Sequence, residues 1–168
     1  PLRKVLTKPA VVSLLLVCFL IQASHGPYYT FYSLYLAAHD YSETAIGQLW
    51  ALGVVAEIGV FLKMHGWLPR FGARHLLLVA TLLTTLRWIL IALFVDQLWI
   101  MIFAQTLHAA SFGVYHAVAI HLTHQLFTGR HQGRGQALYS SLSFGAGGAV
   151  GSLIAGYLWA GVGAQWMY

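Results

Sequence analysis

Charge is almost excluded from five long stretches of this chain, and that pattern decides what it can fold into. Of 168 residues, 8% are charged and 59% are hydrophobic. A water-soluble domain carries about 25% charged residues. So few charges cannot cover a water-facing surface, so most of this chain faces lipid. A spanning helix takes about 20 apolar residues, and five segments have that length: 10–38, 43–64, 75–95, 98–127 and 136–159. The expected fold is all-α, a polytopic transmembrane helix bundle of about five spans, with 1–168 forming a single membrane domain. Ser42 is placed to cap the second helix. Gly26-Pro27 is expected to break the first, because Pro27 has no backbone donor and clashes with the preceding turn.

The charges that remain sort by loop. Arg3, Lys4 and Lys8 precede the first span, Lys63, Arg70 and Arg74 lie between the second and third, and Arg130 and Arg134 between the fourth and fifth. With five spans these fall on one side, and Asp40, Glu43 and Asp96 fall on the other. Short loops rich in Lys and Arg stay in the cytoplasm. A multi-pass protein of the inner (plasma) membrane is expected, with a cytoplasmic N-terminus and Tyr168 outside. The net charge of +5 does not point to nucleic acid, because the cations form clusters between apolar runs and no basic face. The first apolar run is too long for a signal peptide, and no small-residue cleavage pattern follows it. The chain starts at Pro1 and turns apolar again at Gln165–Tyr168, so it is expected to be a piece of a larger protein. Cys18 is the single cysteine, which excludes an internal disulfide.

Two charges break the rule: Glu57 lies mid-segment in the second span and Arg87 mid-segment in the third. An ionised group at the bilayer centre costs several kcal/mol unless it faces a cavity or a partner. At ~1.5 Å of helical rise per residue, Glu57 lies ~21 Å from Glu43, Arg87 ~14 Å from Asp96 and His108 ~17 Å from Gln97. These three groups occupy neighbouring levels on three successive helices, and Arg87 is expected to contact Glu57 directly or through water. A structural ion pair that locks the bundle is one reading. A substrate or proton site is the other, with His108 a fair proton carrier because histidine titrates near neutral pH.

The first span adds His25, Tyr28, Tyr29 and Tyr32 around the expected break, a position that borders the binding site in many transporters. Tyr28, Tyr32 and Tyr35 share one helical face. An interfacial aromatic belt suits Tyr35, whereas Tyr28 and Tyr29 lie deeper, where cavity lining is the alternative. His121 and His124 have a spacing that could hold a metal or haem, but no carboxylate or cysteine accompanies them and both lie near the span's end. No metal site and no cofactor are expected. Gly147-x-x-x-Gly151 and Ser152-x-x-x-Gly156 allow close helix approach and read as packing.

The whole pattern resembles the C-terminal half of a major facilitator superfamily transporter, helices seven to eleven and the start of twelve. The loop Gly66-Trp67-Leu68-Pro69-Arg70-Phe71-Gly72-Ala73-Arg74 looks like a degenerate copy of the superfamily's cytoplasmic Gly/Asp/Arg motif, without its acidic residue. Gln22–Tyr29, Leu49–Glu57, Leu86-Arg87-Trp88 and Gln105–His108 resemble the phenylpropionate permease group, relatives of lactose permease. Lactose permease is similar in placing a Glu, an Arg and a His on its eighth, ninth and tenth helices, where they serve substrate binding and proton coupling; Glu57, Arg87 and His108 match them. Its further carboxylate on the tenth helix has no counterpart, since no Asp or Glu follows His108. The resemblance implies a proton symporter and not an enzyme. It would move a small organic solute, an aromatic carboxylate such as a phenylpropionate, by alternating access. Its partners would be the substrate, protons, the lipid bilayer and the missing N-terminal half. A sugar or nucleoside symporter is the alternative within this class. Outside it stand a metal- or haem-binding membrane protein using the fourth-span histidines, and a scaffold that binds no solute.

Overall fold

The computed structural model describes residues 2–168, and Pro1 lies outside the described residues. They form a helix bundle, with no strand among the described residues. Five helices are long and apolar enough to cross a membrane: α1 (Pro9–Ala38), α2 (Glu43–Phe71), α3 (Ala73–Phe94), α4 (Leu98–Leu126) and α5 (Gly129–Gly161). The shortest, α3 with 22 residues, measures about 33 Å, enough for a hydrocarbon core of about 30 Å. A short helix, Leu2–Leu6, precedes α1, and a 3-10 turn, Ala164–Met167, follows α5.

The turns are tight. Ser42 caps α2 as expected, its Oγ accepting the Ala45 N–H at 3.2 Å. The expected loop from Gly66 to Arg74 is mostly helix instead: α2 continues through Pro69 to Phe71, and the chain reverses at Gly72. Trp67 and Leu68 pack against the core there, which favours the extra helical turns. Gly72 has φ 76, a conformation that costs glycine little.

The expected break in α1 does not form; the helix runs unbroken through Pro27. The reason lies on α5. Pro27 cannot donate to the carbonyl of Ala23, and that oxygen faces Gly151 so closely that a Cβ on Gly151 would overlap it. A Cβ on Gly26 would likewise overlap the Gly151 backbone, and one on Gly147 would sit 2.7 Å from the Phe19 carbonyl. The small-residue spacing of α5 is thus a backbone-to-backbone seam with α1. Close backbone packing across this seam supports the helix where Pro27 leaves the Ala23 carbonyl without its hydrogen bond. Thr30 and Ser152 add a hydroxyl pair at 2.8 Å across the same seam.

Helix α4 is the hub, packed against α1, α2 and α3. It is not regular throughout: Ala109–Val114 forms a π-helical turn, and α5 has another at Ser141–Gly147. Such turns change the facing of the residues that follow and are frequent at functional sites. Two apolar cores result. One, toward the basic end, gathers Leu14, Cys18, Ala80, Val118 and Tyr139. The other, toward the acidic end, gathers Tyr32, Leu36, Leu49, Ile91 and Met101. The loops of the acidic end meet, with His39 Nδ1 2.6 Å from Asp96 Oδ1 and the Tyr41 hydroxyl donating to the Val95 carbonyl at 2.6 Å. Large apolar side chains such as Leu20, Leu62, Leu82, Leu93 and Leu153 stay exposed on the outside, as a lipid-facing bundle requires.

Candidate functional site

Between the two cores lies a buried polar layer: His25, Arg87, Gln105, His108 and Ser111. Arg87 is placed there by the inward stripe of α3, where Leu76, Ala80, Thr84, Arg87, Trp88 and Ile91 recur at helical spacing. It is 0% exposed. Its guanidinium donates from Nη1 to His108 Nδ1 and to Ser111 Oγ, both at 3.0 Å, and from Nη2 to Gln105 Oε1 at 2.8 Å. It also lies 4.1 Å from the ring centre of Tyr28 and 4.8 Å from that of Trp88. Aromatic faces attract a cation, and more strongly where water is absent.

The contact fixes the His108 tautomer. Arginine can only donate, so Nδ1 accepts and the ring proton sits on Nε2. That nitrogen faces Glu57 Oε2 at 3.5 Å, long for a hydrogen bond and short enough to close with a small movement. Two glycines make the room: a Cβ on Gly113 would press on Glu57 Cγ at 3.3 Å, and Gly53 lies beside the His108 ring. Arg87 was expected to reach Glu57 directly or through water. The neutral imidazole of His108 stands between them instead, and among the described residues Arg87 forms no ion pair with a carboxylate.

The other expected residues divide by position. His25 is buried beside Trp88, ring centres 4.9 Å apart. Its Nδ1 donates to the Ile21 carbonyl at 2.8 Å, which leaves Nε2 buried without a partner. Tyr28 is buried in the layer and shares a hydrogen bond with Gln105. Tyr32 packs against it with the rings tilted, their centres 4.9 Å apart. Tyr29 is 48% exposed and marks the rim. Trp50 closes the aromatic group, 4.6 Å from Tyr28, and its indole donates to Ser33 at 2.9 Å.

Sequence reasoning missed Gln105, Ser111, Trp50 and Trp88. Gln105 and Ser111 lie three residues before and after His108, and this spacing was the available signal. Further along α4, His108, Phe112 and His116 stack as a ladder, and His116 Nδ1 is 2.8 Å from the Tyr139 hydroxyl. His121 and His124 join no group of three possible metal ligands among the described residues.

Comparison with known proteins agrees with this architecture. Residues 2–168 match the MFS_1 like family. Over 147 residues the chain is 34% identical to the probable 3-phenylpropionic acid transporter of Escherichia coli (strain K12), a stretch covering 85% of this chain and 37% of that protein. The chain therefore spans well under half the length of the curated relative it matches. No solved structure matches it. With a family match running along all the described residues and five apolar helices to carry it, this chain belongs to the MFS_1 like family, a part of the major facilitator superfamily.

Proposed function

We propose that the chain is most of the C-terminal half of a secondary transporter. The transporter carries a small aromatic carboxylate across the inner membrane with protons, by alternating access. One observation carries this reading: a buried cation, a neutral imidazole and a carboxylate stand in line on α3, α4 and α2. Buried charges stabilise a bundle no better than well-packed apolar side chains, which favours a working role over a structural one. The relative's printed description, a probable 3-phenylpropionic acid transporter, supports the substrate class.

In this reading Arg87 seats the substrate's carboxylate, and Tyr28, Tyr29, Tyr32 and Trp50 meet its ring. Glu57, the carboxylate deep within α2, carries the proton. An incoming anion and ionised Glu57 repel one another across His108, and a proton on Glu57 removes that repulsion. Substrate binding and proton binding therefore strengthen each other by the same factor. The loaded site, with its added charges cancelled, can then be exposed to the other side. Basic loops in the cytoplasm and acidic loops outside complete the picture. The test is uptake of labelled 3-phenylpropionate into proteoliposomes holding the full-length protein, with and without an inside-alkaline gradient. Accumulation driven by the gradient is expected. Uptake indifferent to the gradient would remove the proton, and uptake no faster than in protein-free liposomes would remove the substrate.

A further inference from the structure

The hydrogen bonding of Arg87 is uneven. Nη1 serves two acceptors, His108 and Ser111. Nη2 serves one neutral acceptor, Gln105 Oε1 at 2.8 Å. Nε is buried and has no partner. Nε and Nη2 share one edge of the planar guanidinium, and their N–H bonds form the fork that fits the two oxygens of a carboxylate. On this edge Nε is unsatisfied, and the only partner of Nη2 among the described residues is an uncharged amide. Leaving a buried donor unpaired is unfavourable, and a cation–carboxylate hydrogen bond is about twice as strong as a neutral one.

Gln105 is tied on its other side. Its Nε2 donates to the Leu49 carbonyl of α2 at 3.0 Å and lies 3.1 Å from the Tyr28 hydroxyl of α1. The ring of Tyr28 covers one face of the guanidinium. One amide on α4 thus occupies the arginine of α3, fastens the ring that covers it and holds the backbone of α2.

We infer that Gln105 is a stand-in for the substrate's carboxylate. The carboxylate takes the Nε/Nη2 edge of Arg87, Gln105 gives up its place, and the Tyr28 ring and the α2 backbone are released together. This rests on the reading that Arg87 seats an organic acid, and it adds what selects the acid. An amide or alcohol analogue offers only the neutral oxygen that Gln105 already supplies, whereas a carboxylate replaces one neutral bond with two charge-assisted ones. Gln105 is a specificity-determining positioning residue, and its release links substrate arrival to movement of α1 and α2.

The experiment uses full-length transporter in detergent, measuring Tm and affinity with 3-phenylpropionate and with 3-phenylpropanamide. In the wild type the acid raises Tm and the amide does not. Gln105→Leu removes the competing oxygen, and affinity for the acid rises about tenfold. Gln105→Glu seats a carboxylate of its own on Arg87, although it turns an oxygen toward the Leu49 carbonyl, and its affinity for the acid falls at least about tenfold whatever its unliganded Tm. A merely structural role would weaken binding in both variants, and that result overturns the inference. So does a Gln105→Glu protein that responds to the acid as the wild type does, and where Gln105→Glu does not fold, a wild type stabilised equally by the acid and the amide overturns it. If Gln105→Leu fails to fold, Gln105→Glu decides alone. If the wild type ignores 3-phenylpropionate while Gln105→Leu is stabilised by acetate, the substrate reading falls and the carboxylate seat stands.

Discussion

At mid-membrane an ionised arginine survives only with partners, and Arg87 finds its partners in three side chains of α4 and two aromatic faces. Arg87→Ala would strip those partners and leave His108, Gln105 and Ser111 unsatisfied. It should abolish 3-phenylpropionate binding and lower stability by about 2–4 kcal/mol, read as a fall in Tm. Arg87→Lys keeps the charge but loses the fork, so binding should fall at least about tenfold. His108→Gln can still bridge Arg87 and Glu57, and it should keep gradient-driven accumulation at a reduced rate; loss of accumulation there, with Glu57→Gln still accumulating, would assign the proton to His108. Glu57, Arg87 and His108 were legible in the sequence because charge in lipid is costly enough to need a reason. Gln105 and Ser111 were not, because a neutral polar side chain in an apolar helix carries no such cost. The exposure of Tyr29 against the burial of Tyr28 depends on how α1 is rotated, which the packing of α5 decides.

Among the elements, the α1–α5 seam has the least tolerance. Gly151→Val should force the backbones apart at Ala23, costing about 1–3 kcal/mol or more and lowering the Tm of the full-length protein. Gly148→Val is the control, because a Cβ on Gly148 meets nothing within 4 Å. Equal effects from the two substitutions would contradict the seam. Apolar run length was enough to place all five helices, and most boundaries fall within a few residues. The outcome at Pro27 is not legible in α1 alone, because the compensating contact belongs to another helix 124 residues away at Gly151. The π-helical turns of α4 and α5 leave no mark in residue type, since packing produces them. The extension of α2 past Met64 has the same origin, in Trp67 and Leu68 packing on the core.

Across the whole molecule the ends differ in sign. The His39–Asp96 contact joins two loops of the acidic end, and Arg70, Arg74 and Arg130 sit at the other. A cysteine at position 40 in the full-length protein should be labelled by an impermeant reagent from outside, and one at position 70 should not; Cys18 is buried and should not interfere. Labelling at 70 but not at 40 would reverse the orientation. Between these ends lies the polar layer, where we propose that a proton on Glu57 and an acid at Arg87 travel together. The most direct measurement is internal pH in proteoliposomes on adding 3-phenylpropionate, corrected for entry of the neutral acid into protein-free liposomes. The wild type should acidify the interior in step with labelled substrate uptake. Glu57→Gln should exchange labelled substrate without acidification. Acidification unchanged in Glu57→Gln, or wild-type uptake without any acidification above the protein-free rate, would contradict this proposal.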